Sequence, residues 1–142
     1  MYHSAKEIID ICEMKNLSMA DLVLKTEIQR SGETEEAIIN QMEEIYEVMA
    51  ESSHGAVEKE IKSISGLIGG DAKKVYDYAT LGTPIGGKSI GLAMAYALST
   101  SEINAAMGRI VAAPTAGSSG IIPATLFSMK EEFNLEKEMI VK

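Results

Sequence analysis

Apolar residues recur at spacings of three and four along most of this chain, and the stretches where that period fails are the ones that invite chemistry. Ser4-Ala5-Lys6-Glu7 reads as a capping box opening a first helix, with Ile8, Ile9, Ile11 and Cys12 on or near its apolar stripe. Ser18 to Asp21 repeats the signal and starts a second helix through Leu22, Val23 and Ile28, which Gly32 can end as a left-handed cap. These two form a short hairpin. Thr34 then caps a longer third helix, in which Ile38, Ile39, Met42, Ile45, Tyr46 and Met49 make the buried face. Glu35, Glu36, Glu43, Glu44 and Glu47 fill the other face, which the period turns toward water rather than toward acid–base work. His54, just before Gly55, suits the carboxyl end of that helix, where a cation is favoured, and keeps a lesser claim as a base. His3, near the amino terminus, has a weaker one.

After a short helical piece around Ala56 to Lys62, the stretch from Ser63 to Asp71 breaks all periodicity. Three glycines beside Ser65 let backbone approach a ligand closely, although a mere turn is the plainer reading, and Asp71 is placed to cap the next helix. That helix, Ala72 to Leu81, carries Val75, Tyr78 and Ala79 inward and stops at Gly82. A further helix, from Ser89 to Leu98, has Gly91, Ala93, Ala95 and Ala97 for close packing and is expected at the centre. Ser101 is placed to cap another turn, presenting Glu102, Asn104 and Arg109 as carboxylate, amide and guanidinium, unless Glu102 and Arg109 simply pair with each other.

A second irregular stretch packs Pro114, Thr115, Gly117, Ser118, Ser119, Gly120 and Pro123 together. Glycines at positive φ would let N–H groups converge, and the hydroxyls add donors that rotate to suit a carboxylate or phosphate. An ordinary connection between packed helices is the competing reading. With a cap near Ser119 or Gly120, Pro123 falls in the first turn of a last long helix, where a missing N–H costs little; that helix runs to about Phe133. Asn134 to Lys137 then turn into another helix.

Gly82 to Ser89 also fits the P-loop spacing G-x-x-x-x-G-K-S letter for letter. A P-loop needs a buried strand before it and a later apolar strand ending in Asp for Mg²⁺, yet Asp71 to Leu81 is helix-like, with Lys73, Lys74 and Asp77 where a strand would be apolar. Nucleotide binding through Lys88 therefore stands as an alternative, beside a plain loop with an exposed lysine.

Composition narrows the classes. The 142 residues suffice for one domain burying roughly 70% of its unfolded surface, and nine methionines with few aromatics suit packed helices. An all-α fold is expected, with short connections and the two glycine-rich loops converging at one end. A net charge of −8 with no basic cluster argues against a nucleic-acid partner. No apolar run approaches a membrane span and no signal segment is visible, which points to the cytoplasm. The single cysteine, Cys12, excludes an internal disulfide, fits a core position, and cannot alone supply the thiolates of an iron–sulfur cluster. No Ser/His/Asp or Cys/His arrangement points to covalent catalysis.

Glu102, Asn104, Ala105, Met107, Gly108, Arg109 and the run Pro114 to Ser118 resemble the signature of the alpha chain of the iron–sulfur-dependent bacterial L-serine dehydratases. Ser65-Gly66-Leu67 and Gly69 to Ala72 resemble that family's other glycine-rich motif, at a compatible distance, and the likeness extends more loosely over Met1 to Ser63. Residues 1–142 are thus similar to the amino-terminal part of that alpha chain, its cysteine-bearing remainder being absent. The resemblance implies a lyase of amino-acid catabolism that converts L-serine to pyruvate and ammonia, with a [4Fe–4S] cluster in place of pyridoxal phosphate and cluster ligands outside this chain. It implies a substrate-carboxylate cradle of Thr115, Gly117, Ser118 and Ser119 faced by Ser65 and Gly66, with Asn104 and Arg109 orienting and Asp71 and Glu102 in support. The base remains open, and no metal ligands are expected here. Implied partners are L-serine, the cysteine-bearing remainder and a beta chain or domain. Alone, the piece is expected to be inactive, with exposed apolar surface that invites pairing between copies. A non-catalytic helical interaction module is the third reading.

Overall fold

The computed structural model describes Tyr2 and residues 4–142, so the reading of His3 lies outside the described residues. Seven α-helices and one short 3-10 turn, Ala116–Ser118, account for the regular structure, and no strand is present among the described residues. The all-α expectation holds. The chain divides within its third helix into two compact units: one ends at Glu43 and also takes Lys142, and the other is Glu44–Val141.

In the first unit, α1 (Ala5–Lys15) starts at Ser4, whose hydroxyl accepts the Glu7 N–H, and ends at Asn16 in the left-handed region. Helix α2 (Met19–Ser31) starts at Ser18, whose hydroxyl accepts the Asp21 N–H, and ends at Gly32 with φ 75°. Both starts and the Gly32 stop fall where side-chain capping and glycine's freedom put them. Leu22 and Ile38 are buried, whereas Cys12 is half-buried and Ile9 and Val23 are about half exposed. The stripes of this hairpin are only partly covered.

Helix α3 (Glu35–Glu58) opens at Thr34, which accepts the Ala37 N–H. It does not stop at Gly55, so His54 lies inside the helix and caps nothing. Gly55 is used for packing: a Cβ there would come within 3.0 Å of the Ile103 Cδ1, and this fit outweighs the roughly 1 kcal/mol that glycine costs within a helix. The helical piece expected over 56–62 is thus the end of α3. On its stripe Ile38, Tyr46 and Met49 are buried, whereas Met42 and Ile45 are exposed.

In the second unit α5 (Lys88–Ala105) lies between α4 (Asp71–Leu81) and α6 (Ile121–Phe133). Small residues bring the three together. At Gly91 a Cβ would sit 2.7 Å from the Ala79 Cβ, and at Gly120 it would sit 2.9 Å from the Ala97 carbonyl oxygen. Helix α5 passes through Ser101 without a break, so Ser101 caps nothing. Tyr96, Leu92 and Phe127 are fully buried and each contributes roughly 1.5–3 kcal/mol of apolar burial. Ser99 fastens α5 to α3 by accepting the Ala56 N–H (2.9 Å) and donating to the Ser52 carbonyl (2.8 Å), the pair that an α-helix joins at i and i−4. Tyr78, expected inward, is half exposed and donates to the Thr83 carbonyl. Helix α7 (Lys137–Val141) follows the left-handed Asn134.

Gly82 to Ser89 joins helix to helix. Gly87 takes φ 84° at the start of α5 and Lys88 is exposed, but the buried strand that would aim a phosphate loop is replaced by α4. The P-loop spacing therefore has no P-loop geometry around it.

Candidate functional site

The stretch from Ser63 to Gly70 is a tight, self-bonded turn. The Ser63 N–H donates to the Ile68 carbonyl (2.8 Å), the Ile68 N–H donates to the Ser63 Oγ (3.1 Å), and Lys62 bridges to Gly69. Gly66, Gly69 and Gly70 all have positive φ. Gly69 admits no side chain, because a Cβ there would lie 1.9 Å from the Ile61 carbonyl oxygen. Ser65 is exposed, with its hydroxyl 3.2 Å from that of Ser63.

The turn feeds α4, whose cap residue is Gly70 and so has no side chain to offer its free N–H groups. Glu102 of α5 supplies the missing acceptor. Its carboxylate accepts the N–H of Gly70 (3.1 Å), Asp71 (2.7 Å) and Ala72 (3.0 Å), and the residue is only 2% exposed. Two expectations change here. Asp71 is the first helical residue, not the cap, and pairs with Lys74 at 3.0 Å, which raises the Lys74 pKa. Glu102 does not pair with Arg109. It is turned inward, and Arg109 instead reaches Glu51 at 3.5 Å, with both side chains largely in water, where such a pair adds little.

After α5 the chain turns back through Met107 (φ 63°), and the Gly108 N–H donates to the Ile103 carbonyl (2.8 Å). Asn104, in the last turn of α5, and Arg109, just after this turn, are both exposed. A cis bond joins Ala113 to Pro114 ahead of the hydroxyl-rich loop. There the side chains hold their own backbone: Ser118 Oγ donates to the Ala113 carbonyl (3.0 Å), accepts the Thr115 N–H (3.3 Å) and lies 3.0 Å from Thr115 Oγ1. Ser119, 4% exposed, donates to the Ala116 carbonyl at 2.7 Å. Neither Gly117 nor Gly120 has positive φ, so the left-handed glycine argument fails for this loop and applies to 66–70. Thr115 and Gly117 are exposed, and a Cβ on Gly117 would meet only the Thr115 Oγ1. Gly120 caps α6 and Pro123 lies in its first turn, as expected.

The first loop is thus bonded to α5 through Glu102, and Gly120, at the end of the second, packs closely against α5 at Ala97. Among the described residues no hydrogen bond joins them directly.

A separate groove of about 640 Å³ is lined by Tyr46, His54, Phe127, Lys130 and Glu131 among others; of the candidates for chemistry named from the sequence it takes in His54, the lesser claim as a base. His54 lies 4.7 Å from the Tyr96 ring and 5.0 Å from the Phe127 ring, centre to centre. Its Nδ1 is 2.9 Å from the Ala50 carbonyl and 3.0 Å from the Ser53 hydroxyl. Tyr96 donates to Glu131, and Lys130 donates to the Tyr46 hydroxyl at 2.9 Å. Sequence reasoning missed this cluster because its members come from three helices at no common spacing. It missed the Glu102 cap as well, although a glycine-only helix start is a cue that a distant acceptor is needed.

Fold and loops define an all-α chain in which one irregular turn is bonded to the central helix and a second packs against it. The model of the family described as serine dehydratase alpha chain matches residues 14–142. The chain belongs to that family. It is 44% identical over 141 residues to the L-serine dehydratase alpha chain of Peptoniphilus asaccharolyticus, covering 99% of this chain and 48% of the relative. Against the probable L-serine dehydratase alpha chain of Bacillus subtilis it is 37% identical over 145 residues, covering 100% and 47%. Against the L-serine dehydratase TdcG of Escherichia coli it is 31% identical over 147 residues, covering 88% and 28%. The chain therefore spans about half the length, or less, of the curated relatives it matches. No solved structure gives a significant match.

Proposed function

We propose that this chain is part of an L-serine dehydratase, a cytoplasmic lyase that releases pyruvate and ammonia from L-serine. The observation that carries the reading is 44% identity along nearly the whole chain to an alpha chain of that name. No helix among the described residues is long and apolar enough to cross a membrane, which is compatible with it.

The chain's share of the work is to hold substrate. Thr115 and the backbone of Gly117 receive the serine carboxylate in a cradle whose shape Ser118 and Ser119 hold, with Ser65 and Gly66 facing it and Asn104 and Arg109 orienting it. Exposed Thr115 and Gly117 leave approach open, and the bonds within the loop keep it rigid before substrate arrives, which lowers the cost of binding. Asp71 supports the start of α4 through Lys74.

A [4Fe–4S] cluster would provide Lewis-acid chemistry at the β-hydroxyl, but the residues of this chain do not form its ligand set. Cys12 is the one cysteine, and no three His, Cys, Asp or Glu side chains among the described residues are grouped to hold a metal. Cluster ligands and the base that takes the Cα proton are assigned to the cysteine-bearing remainder, with a beta chain or domain as a further partner. Exposed Leu81, Ile85, Met107 and Ile121 give this chain apolar surface to meet them.

The test is anaerobic, serine-dependent pyruvate formation by the complete enzyme, wild type against Thr115→Val and Ser118→Ala. Thr115→Val is expected to raise KM or lower kcat/KM by about tenfold or more, since a lost hydrogen bond to a charged group is worth about 1.5–3 kcal/mol, and Ser118→Ala is expected to do so through the loop shape that its bonds to Ala113 and Thr115 hold. Unchanged kinetics in both would remove the cradle assignment. No serine turnover by the wild type would remove the proposed activity.

A further inference from the structure

We infer that Glu102 is a positioning residue that never meets substrate: its carboxylate fills the anion nest at the start of α4 and holds the Ser63–Gly70 turn in place. Consecutive glycines at φ 142° and 84°, followed by a helix start, aim several N–H groups at one point, an arrangement that binds anions. Here the anion is internal. Gly70, Asp71 and Ala72 all donate to Glu102, which α5 delivers from about thirty residues further along the chain.

Two consequences follow for the site. The nest at Gly69–Gly70 is closed to a substrate carboxylate, which leaves the 115–119 loop to receive it. The Ser65–Gly66 tip is held from both sides, by the Ser63 bonds within the turn and by Glu102 behind it, so the position of the substrate wall depends on a carboxylate in another helix. Gly70 gives the contact its reach. A side chain at that cap would supply a local acceptor and leave α5 unconnected to the turn.

The positioning role rests on the reading of Ser65 and Gly66 as substrate contacts, and the test separates the two. In the complete enzyme, Glu102→Ala is expected to speed amide hydrogen exchange at Gly70, Asp71 and Ala72 by about tenfold or more, while the α6 amides from Ala124 to Ser128 keep their protection. KM for L-serine is expected to rise about tenfold, with kcat changing less. Glu102→Gln, equal in size but with an NH₂ turned toward N–H donors, is expected to show the same pattern more weakly and carries the test if the alanine variant does not fold. Unchanged exchange at those three amides would overturn the proposal, as would faster exchange with KM unmoved. Ser65→Ala, run alongside, tells the failures apart. If it raises KM while the Glu102 variants do not, the positioning role falls and the substrate reading stands; if neither raises KM, the turn is no substrate wall.

Discussion

The two irregular loops of this chain look alike in composition and are built on opposite plans. The 63–70 turn has three glycines in the left-handed region, a backbone contact that forbids a side chain, and an internal carboxylate in its nest. The 114–120 loop has no left-handed residue and is held by hydroxyls bonded within itself. In the first, glycine serves packing and an internal anion. In the second, serine and threonine set the shape and leave one side open. Glycine richness alone does not say how a loop is held: in one the acceptor is a distant carboxylate, in the other it is the loop's own backbone.

Substitutions at glycine break this comparison most sharply. Gly69→Ala would set a Cβ against the Ile61 carbonyl oxygen and is expected to cost about 3 kcal/mol or more, read as a fall in the denaturation midpoint. Gly66→Ala meets no atom but keeps φ 72°, so the expected cost is roughly 1–2 kcal/mol. Gly117→Ala has neither clash nor positive φ and should stay within about 0.5 kcal/mol of wild type. A reversed order in the three midpoints would contradict the assignment of left-handed strain to the first loop alone.

Smaller effects sharpen it. Because Glu102 caps α4, Asp71→Asn loses only an exposed pair with Lys74 and should change stability by less than about 1 kcal/mol, checked by thermal melting. In the first unit Asp21 is held at a pKa of about 2, chiefly by its bond to Lys142 and then by Ser18, against an ordinary 3.8. A depressed carboxylate stabilises above its unfolded value, so this contribution is full above about 3.8 and disappears as pH falls toward about 2. Asp21→Asn should flatten that part of the stability–pH curve slightly, and an unchanged slope would show that the pair adds nothing.

Helix starts and stops were the most legible part of the sequence. Ser4, Ser18, Thr34, Gly32 and Gly82 all act where local backbone chemistry places them. Legibility failed where tertiary contacts outweighed local preference. Gly55 reads as a stop but sits within α3 because Ile103 needs the space, and Asp71 reads as a cap but yields to Glu102 from another helix. Tyr78 falls on the inward period yet is half exposed, its hydroxyl bonded to the loop after α4. The loops could be located from the failure of periodicity. Which of them is held by a distant acceptor could not, since that depends on a carboxylate about thirty residues away.

The most direct measurement is L-serine-dependent pyruvate formation after anaerobic iron–sulfide reconstitution, with this chain alone set against this chain co-expressed beside the proposed cysteine-bearing remainder. Turnover in the pair and none in the single chain is the predicted result, because the cradle and the cluster ligands are assigned to different parts. Turnover by this chain alone would contradict that division of the site, and a pair that assembles a cluster yet leaves L-serine untouched would contradict the proposed reaction.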